Sequence, residues 1–343
     1  MKNLMNILYL TNPDYYLQKE GENIKISLYG KRIANYPIHN FKQIVCFNYM
    51  GMSPDLMRLC MEENISILFF TPNGKLCGRV MGKSHGNILT RKRQYKLSES
   101  EESINFVKNI VYAKLYNSKK VLIRGKLDHK DKVDIKKLEE TIGGISLLMK
   151  DVLEADNKDS LRGIEGSGAK AYFSVLDELI IKQREDFYMI ERSKRPPRDR
   201  FNALLSFMYS IYTWEITQSL ESVGIDSYAG FFHTDRPGRA SMALDIIEEF
   251  RPALIDKFCL SLINLNRINK NDFEVKENRA TILNEKGRKK VLGFWREKKN
   301  EEIFHYYTEE KIKVGLLAHI QAQLLNSYIR GDLVAYPPYM LKG

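Results

Sequence analysis

Residues 230–252 combine a histidine with several carboxylates at spacings that suit metal-ion chemistry. The segment reads GFFHTDRPGRASMALDIIEEFRP, and a helical pattern within it carries Asp245, Glu248 and Glu249. The spacing i, i+3, i+4 predicts that these carboxylates share one helix face, where they repel one another unless a cation compensates. A solvated acidic face is the ordinary explanation for such a cluster. His233 beside this face, in an otherwise basic region, favours a metal site instead.

A second acidic candidate lies far upstream. Residues 161–181 read LRGIEGSGAKAYFSVLDELII and place Glu165 at the predicted start of a helix, before several small residues. Small residues let another backbone or a phosphate approach the carboxylate closely. The alternative explanation is an acid that the helix dipole favours at an N-terminus. With His233 and Glu248, Glu165 would complete an oxygen–nitrogen–oxygen ligand set for Mg²⁺ or Mn²⁺, ions that polarise phosphoryl oxygens.

Cationic side chains cluster around these candidates. The segment ERSKRPPRDR, residues 191–200, precedes the histidine, and further arginines lie within residues 230–252. Guanidinium groups suit phosphate oxygens, and aromatic rings can stack on nucleobases. The formal net charge of +11 also favours a polyanionic partner such as nucleic acid. The DNA-binding candidates are Arg192, Arg195, Arg198, Arg236, Arg239, Arg251 and Tyr172.

A β-rich region precedes the part of the chain that must position these residues. Period-two alternation and turn residues predict short strands, interrupted by a helix that Ser53 caps and Pro54 begins. The predicted strands are residues 4–10, 15–19, 23–28, 30–36, 43–47, 65–70 and 75–81.

Beyond residue 95 the apolar residues recur with a helical period. The predicted helices are residues 103–124, 135–153, 169–184, 200–223, 241–258 and 311–328, and residues 269–299 are predicted to be a loop or short hairpin. We therefore expect an α+β protein in which a small β-rich domain precedes a larger all-helical catalytic and DNA-binding domain. The predicted boundaries are residues 1–90 for the first domain, 91–100 for a charged linker and 101–343 for the second domain.

Composition excludes several classes of protein. The chain has 343 residues, of which 43% are hydrophobic, so it can bury a core and is not disordered throughout. Cys46, Cys60, Cys77 and Cys259 are widely spaced, which argues against a disulfide framework or a structural zinc site. The N-terminus lacks the pattern of a signal peptide, and no apolar stretch reaches the roughly 20 residues that span a bilayer. We therefore expect a cytoplasmic protein without a membrane segment.

Several blocks of the chain resemble one known family. The blocks are GKLCGRVMGKSHGNILTRKRQY at residues 74–95, LRGIEGSGAKAYFSVLDELI at 161–180, RPPRDRFNALLSFMYS at 195–210 and GFFHTDRPGRASMALDIIEEFRP at 230–252. In this order they resemble the universal CRISPR-associated spacer-acquisition integrases, the Cas one family, over most of the chain. The last two blocks most resemble the type I-C branch.

The resemblance implies how the site and the assembly are built. Glu165, His233 and Glu248 fall on the metal-ligand positions of that family, and Asp245 and Glu249 are possible accessory acids. The family's N-terminal β domain pairs two subunits into a homodimer. A small ferredoxin-like protein, the second universal CRISPR-associated protein, bridges two such dimers into a heterohexamer. The implied substrates are double-stranded DNA with 3′ ends and CRISPR repeat DNA.

The reaction implied is a metal-assisted transesterification, in which a DNA 3′-hydroxyl attacks a phosphodiester at the edge of a repeat. Other activities stay open. His233 and Arg236 read H-x-x-R, as in the metal-independent tyrosine recombinases, which form a covalent protein–DNA intermediate. A branched-DNA repair nuclease could use the same metal site. In a non-catalytic DNA-binding scaffold, the carboxylates would only form salt bridges with neighbouring arginines.

Overall fold

The structure is a computed structural model that describes residues 7–47, 51–71, 76–82, 88–193 and 196–342. A β-sheet region precedes a mostly helical region, which confirms the predicted α+β fold class. The strands of the described residues are β1 (Ile7–Leu10), β2 (Tyr15–Glu20), β3 (Asn23–Leu28), β4 (Lys31–Pro37), β5 (Gln43–Cys46), β6 (Ser66–Phe70), β7 (Leu76–Val80), β8 (Phe273–Val275), β9 (Thr281–Leu283), β10 (Glu302–His305) and β11 (Glu310–Lys313). Residues 4–6 and 75 of the predicted strands lie outside the described residues.

The helices carry the acidic candidate residues. The helices of the described residues are α1 (Pro54–Glu62), α2 (Ile88–Glu99), α3 (Ile104–Asp128), α4 (Ile135–Glu154), α5 (Lys158–Phe173), α6 (Arg200–Ser222), α7 (Ser241–Phe250), α8 (Lys257–Asn264), α9 (Glu285–Asn300) and α10 (Leu317–Arg330). His233, in contrast, lies between α6 and α7. Across these described residues, every helix falls short of the combined length and apolarity that a membrane crossing requires.

The chain forms two compact units, of which the first is built on sheets. It comprises Met1–His85, Leu283–Glu301 and Lys313–Leu316. One sheet has the order β1-β5-β6-β7, in which β5 runs parallel to β1 and β6 while β7 is antiparallel to β6. A second sheet is the antiparallel meander β2-β3-β4. Fully buried apolar side chains such as Ile24 and Ile44 form the core between these elements and α1.

Helix α9 also belongs to this first unit, although residues 269–299 were expected to be a loop or short hairpin. The hairpin is present as β8 and β9, but the rest of the expectation is wrong. The Asn284 side chain caps the helix by accepting a hydrogen bond from the Gly287 N–H. One face of the helix is buried and consists of Val291, Leu292 and Trp295. The rest of the helix is rich in lysine, so the sequence shows only a weak apolar pattern for this face.

The second unit comprises Gly86–Ile282, Glu302–Ile312 and Leu317–Gly343. Most of residues 91–100, which we expected to be a linker, lie in helix α2. The buried Gln94 side chain fixes this helix by donating hydrogen bonds to the carbonyl oxygens of Asp226 and Ala229. The predicted domain boundaries stay a prediction.

Helix α5 differs from the predicted helix at residues 169–184. The helix begins at Lys158, where the Asn157 side chain accepts a hydrogen bond from the Ser160 N–H, and it ends at Phe173. Glu165 therefore lies in the middle of the helix, so the predicted start is wrong and the helix-dipole explanation loses its basis. The glycines around Glu165, which disfavour a helix by propensity, had suggested a loop there. The last helix likewise begins later than predicted, because β11 occupies its expected start.

Gly168 brings α5 close to α3. A Cβ atom at this position would overlap the Leu115 side chain, which is 1% exposed and cannot easily move. Since Glu165 lies three residues before Gly168 and Lys114 immediately precedes Leu115, this close approach brings Glu165 and Lys114 together.

Gly168→Ala is therefore expected to separate the two helices and to lower the free energy of unfolding in denaturant titrations by ~1–3 kcal/mol, as overpacking does. Gly166→Ala is the matched control, because nothing lies within 4 Å of its added methyl group. There the better helix propensity of alanine should stabilise the protein by up to ~1 kcal/mol. Equal effects of the two substitutions would contradict the close helix approach.

Candidate active site

A buried lysine joins two of the three candidate ligands. Lys114, on α3, forms ion pairs with Oε1 of Glu165 on α5 and with Oε2 of Glu248 on α7. The side chains of Lys114 and Glu248 are 10% and 5% exposed. Burial alone would lower the pKa of the Lys114 ammonium, but Glu248 and Glu165 raise it above its ordinary value. The lysine is therefore charged, and it links three helices.

Glu248 is held ionised by the basic side chains around it. The Arg251 Nε atom lies 3.1 Å from Glu248 Oε1, and the His233 Nε2 atom lies 3.9 Å from the same oxygen. Burial by itself would raise the pKa of this carboxyl, yet Arg251, Lys114 and His233 lower the pKa to about 2. Glu248 thus presents a carboxylate, the form that binds a metal ion.

Asp245 orients the histidine. Its carboxylate accepts hydrogen bonds from the backbone N–H groups of Phe231, Phe232 and His233, at 2.7, 3.0 and 2.9 Å. The same carboxylate lies 2.7 Å from His233 Nδ1, so the ring donates from Nδ1 and turns Nε2 towards Glu248. Metal-binding histidines are commonly fixed in this way by a carboxylate on the other ring nitrogen.

The turn that follows α7 places the Arg251 side chain beside Glu248. Residues Arg251–Asp256 form a π-helical turn in which Pro252 has no N–H to donate. The guanidinium of Arg251 lies 4.4 Å from the centre of the Tyr209 ring, a favourable cation–π distance. Arg251 is thereby held between an aromatic ring and Glu248.

Glu249 points into a different network. Its carboxyl group accepts hydrogen bonds from the Gln321 amide, the Tyr336 hydroxyl and the Tyr339 N–H, at 3.1, 3.0 and 2.8 Å. Burial raises the pKa of Glu249 to about 8, although these hydrogen bonds oppose the rise. Glu249 therefore ties the residues after α10 to α7 and does not contact the other candidate ligands.

The acidic residues of α7 do not form a solvated face. Asp245, Glu248 and Glu249 are 0, 4 and 0% exposed, and each contacts a different set of partners. The ordinary explanation for this cluster is therefore wrong. Glu165 and Glu248 meet at Lys114, and His233 faces Glu248, so the structure brings the three predicted ligands to one place.

The predicted DNA-binding arginines differ in their accessibility. Arg198 and Arg236 are exposed, and Arg239 is half-buried. Arg195 lies outside the described residues. The two exposed side chains are thus the candidates best placed to reach a DNA backbone.

The other three candidates for DNA contact are buried or half-buried. Tyr172 is 3% exposed, so its ring cannot stack on a base as it stands. The Arg192 guanidinium donates to Oδ1 of Asn202 at 2.7 Å and lies over the Tyr209 ring, while Arg251 pairs with Glu248. These placements argue against direct DNA contacts by the three residues, because Tyr172 is buried and both guanidinium groups already have partners within the protein.

Lys114 is the site residue that sequence reasoning missed. A signal was present, since this lysine falls on the buried stripe of α3 that includes Val107, Val111 and Leu115. A lysine in such a stripe requires a buried counter-ion. The sequence alone does not reveal which carboxylate supplies it.

The donor set suits a hard divalent cation, because two carboxylates and an oriented imidazole converge. As placed, however, no group of three or more described His, Cys, Asp and Glu side chains has the spacing to hold an ion. The ammonium of Lys114 lies between the two carboxylates instead.

Comparison with known proteins defines the class of this protein. A family model described as "CRISPR associated protein Cas1" matches residues 8–297. A CRISPR-associated endonuclease Cas1 from Chlorobaculum tepidum is 40% identical over 99% of this chain and 99% of its own length. A second Cas1 endonuclease, from Rhodospirillum rubrum, is 40% identical over 100% of both chains. The class is thus that of the CRISPR-associated endonucleases, enzymes that act on DNA. Within it the chain belongs to the Cas1 family, which is involved in CRISPR adaptation.

Solved structures share the fold at low sequence identity. A Cas1 protein from Thermotoga maritima has a TM-score of 0.81 and 22% identity, over 98% of this chain and 100% of its own. A structure described as "Casposase bound to integration product" has a TM-score of 0.82 and 21% identity, over 97% of this chain and 93% of its own. These likenesses establish a Cas1-like fold.

The Glu249 carboxyl group is expected to make stability depend on pH. Because its folded pKa of about 8 exceeds the ordinary value of 4.5, the folded state binds more protons between these values, and the free energy of unfolding falls as pH rises. Glu249→Gln keeps the shape and removes this titration. Denaturant titrations between about pH 5 and about pH 8.5 should show a shallower decline for the variant.

Glu302→Gln, which alters an exposed carboxylate, is the control and should follow the wild-type decline. A Glu249→Gln profile parallel to that of the wild type would show that the buried carboxyl is not protonated.

Proposed function

We propose that this chain is a metal-dependent DNA integrase and endonuclease of CRISPR adaptation, which inserts short DNA fragments into a CRISPR array in the cytoplasm. The convergence of Glu165, His233 and Glu248 in one largely buried place carries the proposal. The RPPRDR and HTDRPGR blocks support an assignment to the type I-C branch.

The reaction exchanges one phosphodiester for another. The 3′-oxygen of the incoming fragment bonds to the phosphorus at the 5′ edge of a CRISPR repeat strand, the bond from that phosphorus to the 3′-oxygen of the flanking nucleotide breaks, and the proton of the attacking hydroxyl ends on the departing oxygen. The number of phosphodiester bonds is unchanged, so the step needs no nucleotide triphosphate. With water as the attacking group, the same site would cleave DNA.

The chain's own residues orient the reacting groups. Glu165, His233 and Glu248 would hold Mg²⁺ or Mn²⁺, and the bound ion would supply Lewis-acid polarisation of the attacked phosphate. Asp245 fixes the ring and tautomer of His233. Arg251 holds Glu248 in place, since the guanidinium pairs with this carboxylate and is itself packed on Tyr209.

We infer the partners from the family and from exposed surfaces. The proposed substrates are double-stranded DNA with 3′ ends and CRISPR repeat DNA. A structural neighbour described as "Cas6-RT-Cas1--Cas2 complex" supports assembly with the small ferredoxin-like second universal protein, and the heterohexamer follows the family resemblance. Exposed Tyr29, Ile33 and Tyr36 of the first unit support a homodimer, since such apolar side chains favour burial against a second copy.

Substitution of any proposed metal-binding residue should abolish cleavage and strand transfer but leave DNA binding intact. Glu165→Gln, His233→Ala and Glu248→Gln are each expected to slow cleavage and strand transfer by at least about 100-fold, and Asp245→Asn by about 10–100-fold as an outer-shell partner. The assay incubates the chain and the small partner protein with a supercoiled repeat-containing plasmid and a fluorescent DNA fragment. Fluorescence anisotropy measures DNA binding in parallel.

Glu302→Gln is the control for this series, and full strand transfer by any ligand variant would remove that residue from the site. EDTA separates the remaining alternatives, since chelation stops a metal enzyme and leaves a tyrosine recombinase active. Nicking of branched DNA without insertion would indicate a repair nuclease. Binding without any reaction in the presence of Mn²⁺ would indicate a scaffold.

DNA binding is expected to weaken steeply with salt, because phosphate contacts release counterions. Arg198→Ala and Arg236→Ala should each reduce the slope of log affinity against log salt by about one. Arg58→Ala is the control, because this arginine of α1 pairs with Asp55 and Glu62. Unchanged slopes for both variants would place the DNA elsewhere on the protein.

A further inference from the structure

The charges around Glu165 and Glu248 already balance. Lys114 contacts both carboxylates, and Arg251 contacts Glu248 from another side. Two cations therefore oppose two carboxylates in a site where little water screens them. An ammonium that touches both carboxylates occupies the space that a divalent ion held by both would need. This explains why, among the described residues, the candidate ligands do not have the spacing of a metal site.

Of the two cations, Lys114 is the one that can leave. Its ammonium sits at the end of a flexible four-carbon chain. Arg251 is instead fixed by the Tyr209 ring, 4.4 Å away, and by the π-helical turn on which it lies. A lysine that withdrew would lose two ion pairs, so metal binding carries an energetic cost in this site.

We propose that Lys114 is a positioning residue that stands in for the cation between Glu165 and Glu248 and must withdraw before a metal ion binds there. The inference rests on the proposed metal-dependent function. The lysine keeps two like charges together, and it competes with the metal ion for the same carboxylates. The DNA-free protein is thus expected to bind Mn²⁺ weakly, although its ligands are already close together.

Lys114→Met tests this competition without measuring activity. The variant should bind Mn²⁺ at least about tenfold more tightly than the wild type, because a unit charge within about 4 Å of a dication strongly opposes it even with protein-like screening. Its thermal midpoint should be lower than that of the wild type without metal, since two carboxylates lose their shared cation. Mn²⁺ should then raise the midpoint of the variant more than that of the wild type. Electron paramagnetic resonance of unbound Mn²⁺ gives the affinities.

Lys119→Met is the matched control, because it removes one charge from the same helix at a half-buried position. Its Mn²⁺ affinity should stay within about twofold of the wild type, since the charge lies farther from the carboxylates. If Lys114→Met does not fold alone, recovery of its circular dichroism on addition of Mn²⁺ supports the proposal. If it does not fold even with Mn²⁺, Lys114→Gln replaces it and is held to the same tenfold expectation.

Two failures are distinguishable. Equal Mn²⁺ affinities of the wild type and the Lys114 variant would overturn the role of Lys114 and leave the metal site standing. Absence of Mn²⁺ binding in both proteins, with or without DNA, would overturn the proposed metal-dependent function itself.

Discussion

Buried negative charge is the constraint on which the helical region depends. A carboxylate removed from water is tolerated only beside a cation or several hydrogen-bond donors. Lys114 meets this need for Glu165 and Glu248 at once, and in doing so it links α3, α5 and α7. The absence of a side chain at Gly168 lets α5 approach α3 closely enough for Lys114 to reach Glu165.

Two neighbouring glutamates on α7 have very different pKa values because their surroundings differ. Cations lower the pKa of Glu248 to about 2, whereas burial raises that of Glu249 to about 8. One residue thus keeps its charge, while the other has a pKa raised by burial and anchors the chain after α10. The spacing of acids along a helix carries no information about this difference, since the difference arises from residues distant in sequence.

The sequence predicts the fold class and much of the site, but not the contacts that organise it. His233 and Glu248 stand out because a histidine and acids recur within one short segment. Helix α9 was not predicted because its apolar face around Trp295 is narrow, and the many lysines of the helix make the segment resemble a polar loop. Arg192 was predicted to contact DNA, yet it binds buried partners, because residue type does not disclose burial. Lys114 escaped notice because the identity of its partners depends on tertiary packing.

The π-helical turn that begins at Arg251 has a consequence for sequence variation. An α-helix advances by about 100° per residue, and a π-helical turn takes in one more residue over a similar rotation. Loss or gain of a single residue within α7 or α8 would turn the following residues by roughly that angle. Loss of one residue from Arg251–Asp256 would instead convert the wide turn to regular winding and leave α8 facing nearly the same way. The Tyr209 hydroxyl, which donates to Asp256 at the end of the turn, would then keep its acceptor. A change of length by one residue is thus better tolerated in this turn than elsewhere in the two helices.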